Sequence, residues 1–249
     1  MVLFFVFLCV AIISALAGFG GGSSYIAILV LQDTPIEHIP IIALMCNLMV
    51  VTGASWYYLR AKHIKWRLIT PLLLASIPMA YLGGVLNTPA PIFKLVLALS
   101  LLVSGLLMLI KNKTYTAHTT LKNSSVLTTI TVGGLIGFLA GMVGIGGGIF
   151  LSPLIYLFRW AYPKQIAACC TVFIFANSLS GLIAHLQKQT NFNVVYDNWP
   201  LLVAVLIGGQ LGSYFTAFKL PQRVIAGVAA AITLYASLQL LNNLYKFVG

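Results

Sequence analysis

The chain has 249 residues, 60% of them hydrophobic and 7% charged, with a mean hydropathy of +1.02. Apolar stretches long enough to cross a bilayer recur from end to end, which excludes an ordinary water-soluble enzyme or binding module. The formal charge of +11 comes from 14 Lys+Arg against 3 Asp+Glu, but these bases sit in short loops between apolar spans. That is the pattern of a membrane protein, so no nucleic-acid partner is expected.

The composition predicts an all-α polytopic membrane protein with about eight hydrophobic segments in two duplicated halves. The first segment, about 1–31, is interrupted by Ala17-Gly18-Phe19-Gly20-Gly21-Gly22-Ser23-Ser24. Ala15-Leu16-Ala17 resembles a signal-peptidase site. No Lys or Arg precedes it, however, and residues 1–17 have a counterpart at 126–143, so this stretch is read as part of the mature protein. Segments follow at about 36–58, 68–86 and 92–110, then a polar, loop-like linker over 111–125. The second half begins at 126–158, interrupted by Ala140-Gly141-Met142-Val143-Gly144-Ile145-Gly146-Gly147-Gly148, and continues at 165–186, 199–217 and 222–244. Pro71-Leu72-Leu73 through Leu82-Gly83 lines up with Pro200-Leu201-Leu202 through Leu211-Gly212. Likewise Ala43-Leu44-Met45-Cys46-Asn47 matches Ala167-Ala168-Cys169-Cys170-Thr171. The expected organisation is a first membrane repeat over 1–110, a cytoplasmic linker over 111–125 and a second repeat over 126–249, forming one transport unit.

Three consecutive glycines break a helix, because each costs about 1 kcal/mol relative to alanine in a helix interior. Two topologies are open. If each interrupted segment crosses the membrane once, Lys and Arg divide nine to five between the sides. If each is a re-entrant hairpin with glycine at its tip, three crossings remain per half and the repeats are inverted. The division is then eleven to three, with Arg60, Lys62, Lys65, Arg67, Lys111, Lys113, Lys122, Arg159, Lys164, Lys219 and Arg223 together. The positive-inside rule favours the inverted arrangement, with both termini outside the cell. The expected location is the cell inner (plasma) membrane.

Paired glycine interruptions in corresponding segments point to a transporter's substrate site. Free N–H groups and a partial positive charge at each helix start after a break form an anion site, which glycine lets an oxyanion approach closely. The candidate binding residues are Gly20, Gly21, Gly22, Ser23, Ser24, Gly146, Gly147, Gly148, Ile149 and Ser152. Asn47, Thr171, Asn177 and Ser178 join them as polar groups inside apolar spans, Asn47 and Thr171 at matching places in the two halves. The competing reading makes the glycines helix-packing devices in a non-transporting subunit; an anion channel is a further alternative. His185 is expected at a loop edge, Trp56, Trp66, Trp160 and Trp199 in an interfacial belt, and Cys9, Cys46, Cys169 and Cys170 as buried small thiols inside apolar spans. No cofactor and no metal site are expected, because neither CxxC nor a Ser-His-Asp or metal constellation occurs, and the reading is not of an enzyme. The expected partners are a small anion and the lipid bilayer, with a homo-oligomer left open.

Gly-x-Gly-Gly-Gly early in each half, Pro153 five residues after the second triplet, and the Ala-x-x-Cys-Asn and Ala-x-x-Cys-Thr blocks resemble the TauE/SafE sulfite-exporter family. The resemblance covers nearly the whole chain. It implies an eight-segment permease for sulfite, sulfoacetate, other sulfonates or other small organic anions. Ala27 stands where that family's first-half proline is expected, and Cys46 and Cys170 stand where it usually has threonine.

Overall fold

A computed structural model describes residues 2–86 apart from Ala17 and Asp33, 121–188 apart from Asn123, and 198–218, with isolated positions at 89, 99, 194 and 196. The expected spans at 92–110, Leu99 aside, and 222–244 lie outside the described residues, as do 111–120 and Asn123 of the linker. The described chain is helical: α1 Val2–Leu16, α2 Gly22–Leu31, α3 Ile39–Arg60, α4 Trp66–Val85, α5 Val126–Val143, α6 Gly148–Phe158, α7 Pro163–Leu186 and α8 Trp199–Phe218. Four of them, α3, α4, α5 and α7, are long and apolar enough to cross a membrane. Large apolar side chains stand exposed along them, among them Leu74, Leu127, Leu135 and Ile183. In water such a surface would associate; against acyl chains it is the stable one.

Both interrupted segments turn back on themselves. Lys122, before α5, donates its backbone N–H to the carbonyl of Arg159, just after α6, at 3.0 Å. A segment crossing the membrane once would hold those two residues a bilayer apart, about 30 Å. In the first half, Tyr25 of α2 stacks on Phe7 of α1 with ring centroids 4.9 Å apart. A continuous helix would separate those residues by roughly 27 Å at 1.5 Å per residue, and a kink would shorten that only in part. The kinked-crossing topology is thus excluded.

The two halves interlock by exchange. α1 packs along α8 and α5 along α4, while α3 and α7 meet at the centre. Glycines at every fourth position allow the α4–α5 contact. A Cβ on Gly133, Gly137 or Gly141 would strike the backbone of Leu72, Ser76 or Ala80 in turn. On α8, Gly208 and Gly212 meet the carbonyls of Leu8 and Ile12 in the same way. Backbones approach this closely only where side chains are absent.

The loops sort onto two faces. Lys65, between α3 and α4, donates Nζ to the Trp160 carbonyl at 2.7 Å, which brings the 61–65 loop to the same face as Lys122 and Arg159. On the opposite face Lys188 donates Nζ to the Leu86 carbonyl at 2.7 Å, and Tyr81 donates its hydroxyl to Gln187 Oε1 at 2.7 Å.

Candidate functional site

The breaks are built from glycine stereochemistry. α1 ends at Gly18 (φ 76), whose N–H reaches the Ala15 carbonyl at 3.0 Å while Phe19 N–H reaches Ser14 O at 2.9 Å. This is a Schellman stop. α5 ends similarly at Gly144 (φ 81), whose N–H bonds Ala140 O at 2.8 Å. After each stop a further left-handed glycine starts the next helix, Gly21 (φ 86) for α2 and Gly147 (φ 84) for α6, the latter following a left-handed Gly146 (φ 80) that has no equivalent in the first break. An L side chain held there costs roughly 1–2 kcal/mol.

Among the described residues, no hydrogen bond uses the backbone N–H of Gly22, Ser23 or Ser24 at the start of α2, or of Gly148 or Ile149 at the start of α6. These are the free donors expected of helix starts, here at two equivalent places deep in the fold.

Asn47 of α3 ties the breaks together. Its Nδ2 donates to the Ile145 carbonyl of the second break at 2.9 Å. The same amide packs against Gly20 and Gly22 of the first break; a Cβ on Gly22 would lie 2.6 Å from its Nδ2. Its Oδ1 is buried without a hydrogen-bond partner, as are Tyr25 OH and Ser178 Oγ. Tyr25 OH and Ser14 Oγ lie 2.9 Å and 3.0 Å from where a Gly21 Cβ would be, and Ser178 Oγ lies 2.6 Å from that of Gly146. Buried polar atoms without partners are costly, at about 1–3 kcal/mol each, so their gathering around one point calls for an explanation. A cavity of about 10 Å³ sits between the breaks, lined by Ser14, Phe19, Gly20, Gly21, Gly22 and Ser23 from the first half and by Ile145, Ile149 and Ile174 from the second. It has room for about one water molecule.

Of the sequence-predicted residues, Gly20, Gly21, Gly22, Ser23, Ile149 and Asn47 converge here, with Gly146 and Ser178 immediately beside them. Gly147 and Gly148 shape the second turn, packed on Phe173 and Ile174. Ser24 is half-buried on α2 and Ser152 is buried on α6, neither lining the cavity. Asn177 is buried with both amide atoms unpartnered, also outside the lining. Thr171 is not the counterpart of Asn47: its hydroxyl is used on the Ala168 carbonyl of its own helix at 2.9 Å. The neighbour of Gly148 that matches Asn47 beside Gly22 is Ile174.

Three other expectations change. His185 is buried, with Nε2 2.9 Å from the Gly141 carbonyl, so it fastens α7 to α5 rather than edging a loop. Trp160 is buried and stacked on Phe158 at 4.9 Å, leaving Trp56, Trp66 and Trp199 as the exposed belt. Cys9 is exposed whereas the other three thiols are buried. Sequence reasoning missed Ser14 and Tyr25. Their pattern is that of ordinary helix residues, and only the reversal at Gly18–Gly21 brings them to the break. It also missed Gln210, whose Nε2 donates to the Met49 carbonyl at 3.3 Å across α3 and α8.

The described residues form an all-helical, multi-pass membrane protein with two glycine-broken hairpins, and discontinuous membrane helices of this kind occur in transporters. The family model described as Sulfite exporter TauE/SafE matches residues 3–240, and the chain belongs to that family. Among curated relatives, "Probable membrane transporter protein y4hK" of Sinorhizobium fredii is 29% identical over 94% of this chain and 95% of its own length. "Probable membrane transporter protein YunE" of Bacillus subtilis is 23% identical over 92% of both chains. No solved structure matches the chain.

Proposed function

We propose that the protein carries a small anion across the cell inner membrane, in the outward direction, binding it at the two glycine breaks. The observation that carries this reading is the meeting of two helix starts with free N–H groups around Asn47, ringed by buried hydroxyls. Donors without acceptors, at the positive ends of two helices, suit an oxyanion. Family membership and the curated names of the relatives support transport; the anion and its direction are our inference.

Direction follows from charge. In a cell with a negative interior, each negative charge leaving gains about 2.3 kcal/mol per 100 mV. Export therefore needs no coupling ion. The three acids Asp33, Glu37 and Asp197 all fall in connecting segments, leaving no carboxylate in the middle of a span to bind a proton or sodium. We further assign the face bearing the 61–65 and 159–162 loops to the cytoplasm, which places the N-terminus outside. Purified protein in proteoliposomes under an imposed potential tests the reading. Anion efflux should accelerate when the side holding the anion is made negative, and flux indifferent to the sign of the potential overturns uncoupled export.

A further inference from the structure

Away from the breaks, a groove of about 570 Å³ runs along the flank of the bundle, between α3, α7 and α8. Trp56, Leu59, Trp66, Val172 and Phe175 wall it, and all but Val172 are large apolar side chains left exposed. On a membrane-spanning bundle such walls meet acyl chains. The polar residues of the groove are of two kinds. At its inner end Thr52 Oγ1 donates to the Leu48 carbonyl at 2.6 Å and Gln210 Nε2 to the Met49 carbonyl at 3.3 Å, so both are satisfied within the protein. Ser55 Oγ, one turn nearer the surface, is buried without a hydrogen-bond partner.

The groove reaches the basic face. Leu59, Ile64 and Trp66 line that end of it, and their chain neighbours Arg60, Lys62 and Arg67 are exposed. Among the described residues none of these three side chains makes an ion pair or hydrogen bond, and the one acid, Glu37, precedes α3, at the end of that helix opposite Arg60. Ser55 lies five residues before Arg60 on α3, about 8 Å along the axis at 1.5 Å per residue. One polar interfacial layer of a bilayer is about 5–8 Å thick. With a phosphate at the arginines, the ester oxygens of the same lipid fall at the depth of Ser55. Trp56 and Trp66 flank this zone, where indole rings settle between acyl chains and head groups.

We propose that the groove holds one diacyl phospholipid with a net negative head group. Its phosphate meets Arg60, Lys62 and Arg67, an ester carbonyl accepts the Ser55 hydroxyl, and an acyl chain lies along Trp56, Val172 and Phe175. The apolar walls would take the chain of any phospholipid. Selection comes from the rim, where each cation near the surface is worth about a fivefold gain in binding an anionic lipid. The proposal does not depend on what the protein transports.

Native mass spectrometry of the full-length protein in mild detergent tests it, titrating phosphatidylglycerol against phosphatidylcholine of identical acyl chains. Wild type should retain one phosphatidylglycerol about tenfold more tightly than phosphatidylcholine. Arg60→Gln combined with Arg67→Gln should bring phosphatidylglycerol close to the phosphatidylcholine level, whereas Lys188→Gln, on the opposite face, should change neither. Ser55→Ala should weaken both lipids, because it removes the contact they share, and Val172→Trp, which fills the groove, should release both. Equal retention of the two lipids by wild type overturns the proposal. So does an equal loss in Lys188→Gln and in the arginine variant, which would make the preference a matter of total charge. Retention of neither lipid overturns it too, and leaves the groove to the chain's own 222–244. The wild-type comparison decides even if the Ser55 or Val172 variant fails to fold.

Discussion

Gly21 and Gly147 hold left-handed backbone at φ 86 and φ 84, and each is enclosed as well. A Cβ would come 2.8 Å from Tyr25 Cζ at the first and 2.8 Å from Phe173 Cε1 at the second. Gly21→Ala and Gly147→Ala should therefore each destabilise the protein by at least about 1–2 kcal/mol and abolish flux. Gly134, in the interior of α5 with nothing nearer than 3.6 Å to its Cβ position, is the control. Gly134→Ala should be neutral or stabilise by about 0.4–1 kcal/mol. Thermal unfolding in detergent, alongside reconstituted flux, checks both. Asn47→Ala should cost a comparable amount of stability, about 1–3 kcal/mol, because it leaves the Ile145 carbonyl unpaired, but should retain part of the flux because it does not strain the backbone. The opposite order, Asn47→Ala inactive and both glycine variants active, would make the glycine runs packing devices.

At the scale of the element, the close approach of α4 and α5 depends on the absence of three side chains. Gly137→Val would drive a branched side chain into the backbone of Ser76 and push the helices apart. A loss of about 3 kcal/mol or more is expected, larger than for either break variant, because overpacking at a backbone contact has no flexible side chain to displace. A melting temperature within a degree of wild type would refute the register of this pair. The hairpin reading of α5–α6 has its own test. Lys122→Cys with Arg159→Cys, in a background lacking the four native cysteines, should form a disulfide on mild oxidation. The N–H···O bond of 3.0 Å between them brings the two backbones within bridging range. Failure to cross-link, with both thiols reactive, would restore the single crossing.

For the molecule as a whole, both hairpins and the hydrogen bonds between loops place Arg60, Lys62, Lys65, Arg67, Lys122, Arg159 and Lys164 on one face, against Lys188 on the other. The positive-inside rule then orients the entire protein. Single cysteines at Lys62 or Arg159 should resist a membrane-impermeant reagent applied to intact cells, whereas one at Lys188 should react. Labelling of Arg159→Cys from outside would invert the assignment and, with it, the inferred direction of transport.

Composition and the paired glycine runs were legible in the residue string, because each acts locally: long apolar runs belong in lipid, and consecutive glycines break a helix. The family was legible too, since Gly-x-Gly-Gly-Gly recurs with its spacing intact. Loop charge leaned toward inverted hairpins but left a kinked crossing open, and a pair of contacts far apart in sequence, Lys122 with Arg159 and Phe7 with Tyr25, settled it. The same long-range folding decided which polar residues meet at the breaks. Asn47 and Thr171 align in sequence, yet a shift of one helical turn between the paired spans puts Ile174 opposite Asn47 and leaves Thr171 bonded within its own helix. The chain alone carries the periodicity of each helix, but which face of it meets the break is set by where α1 and α5 wedge against the other half, through backbone contacts that glycine permits and no local propensity records.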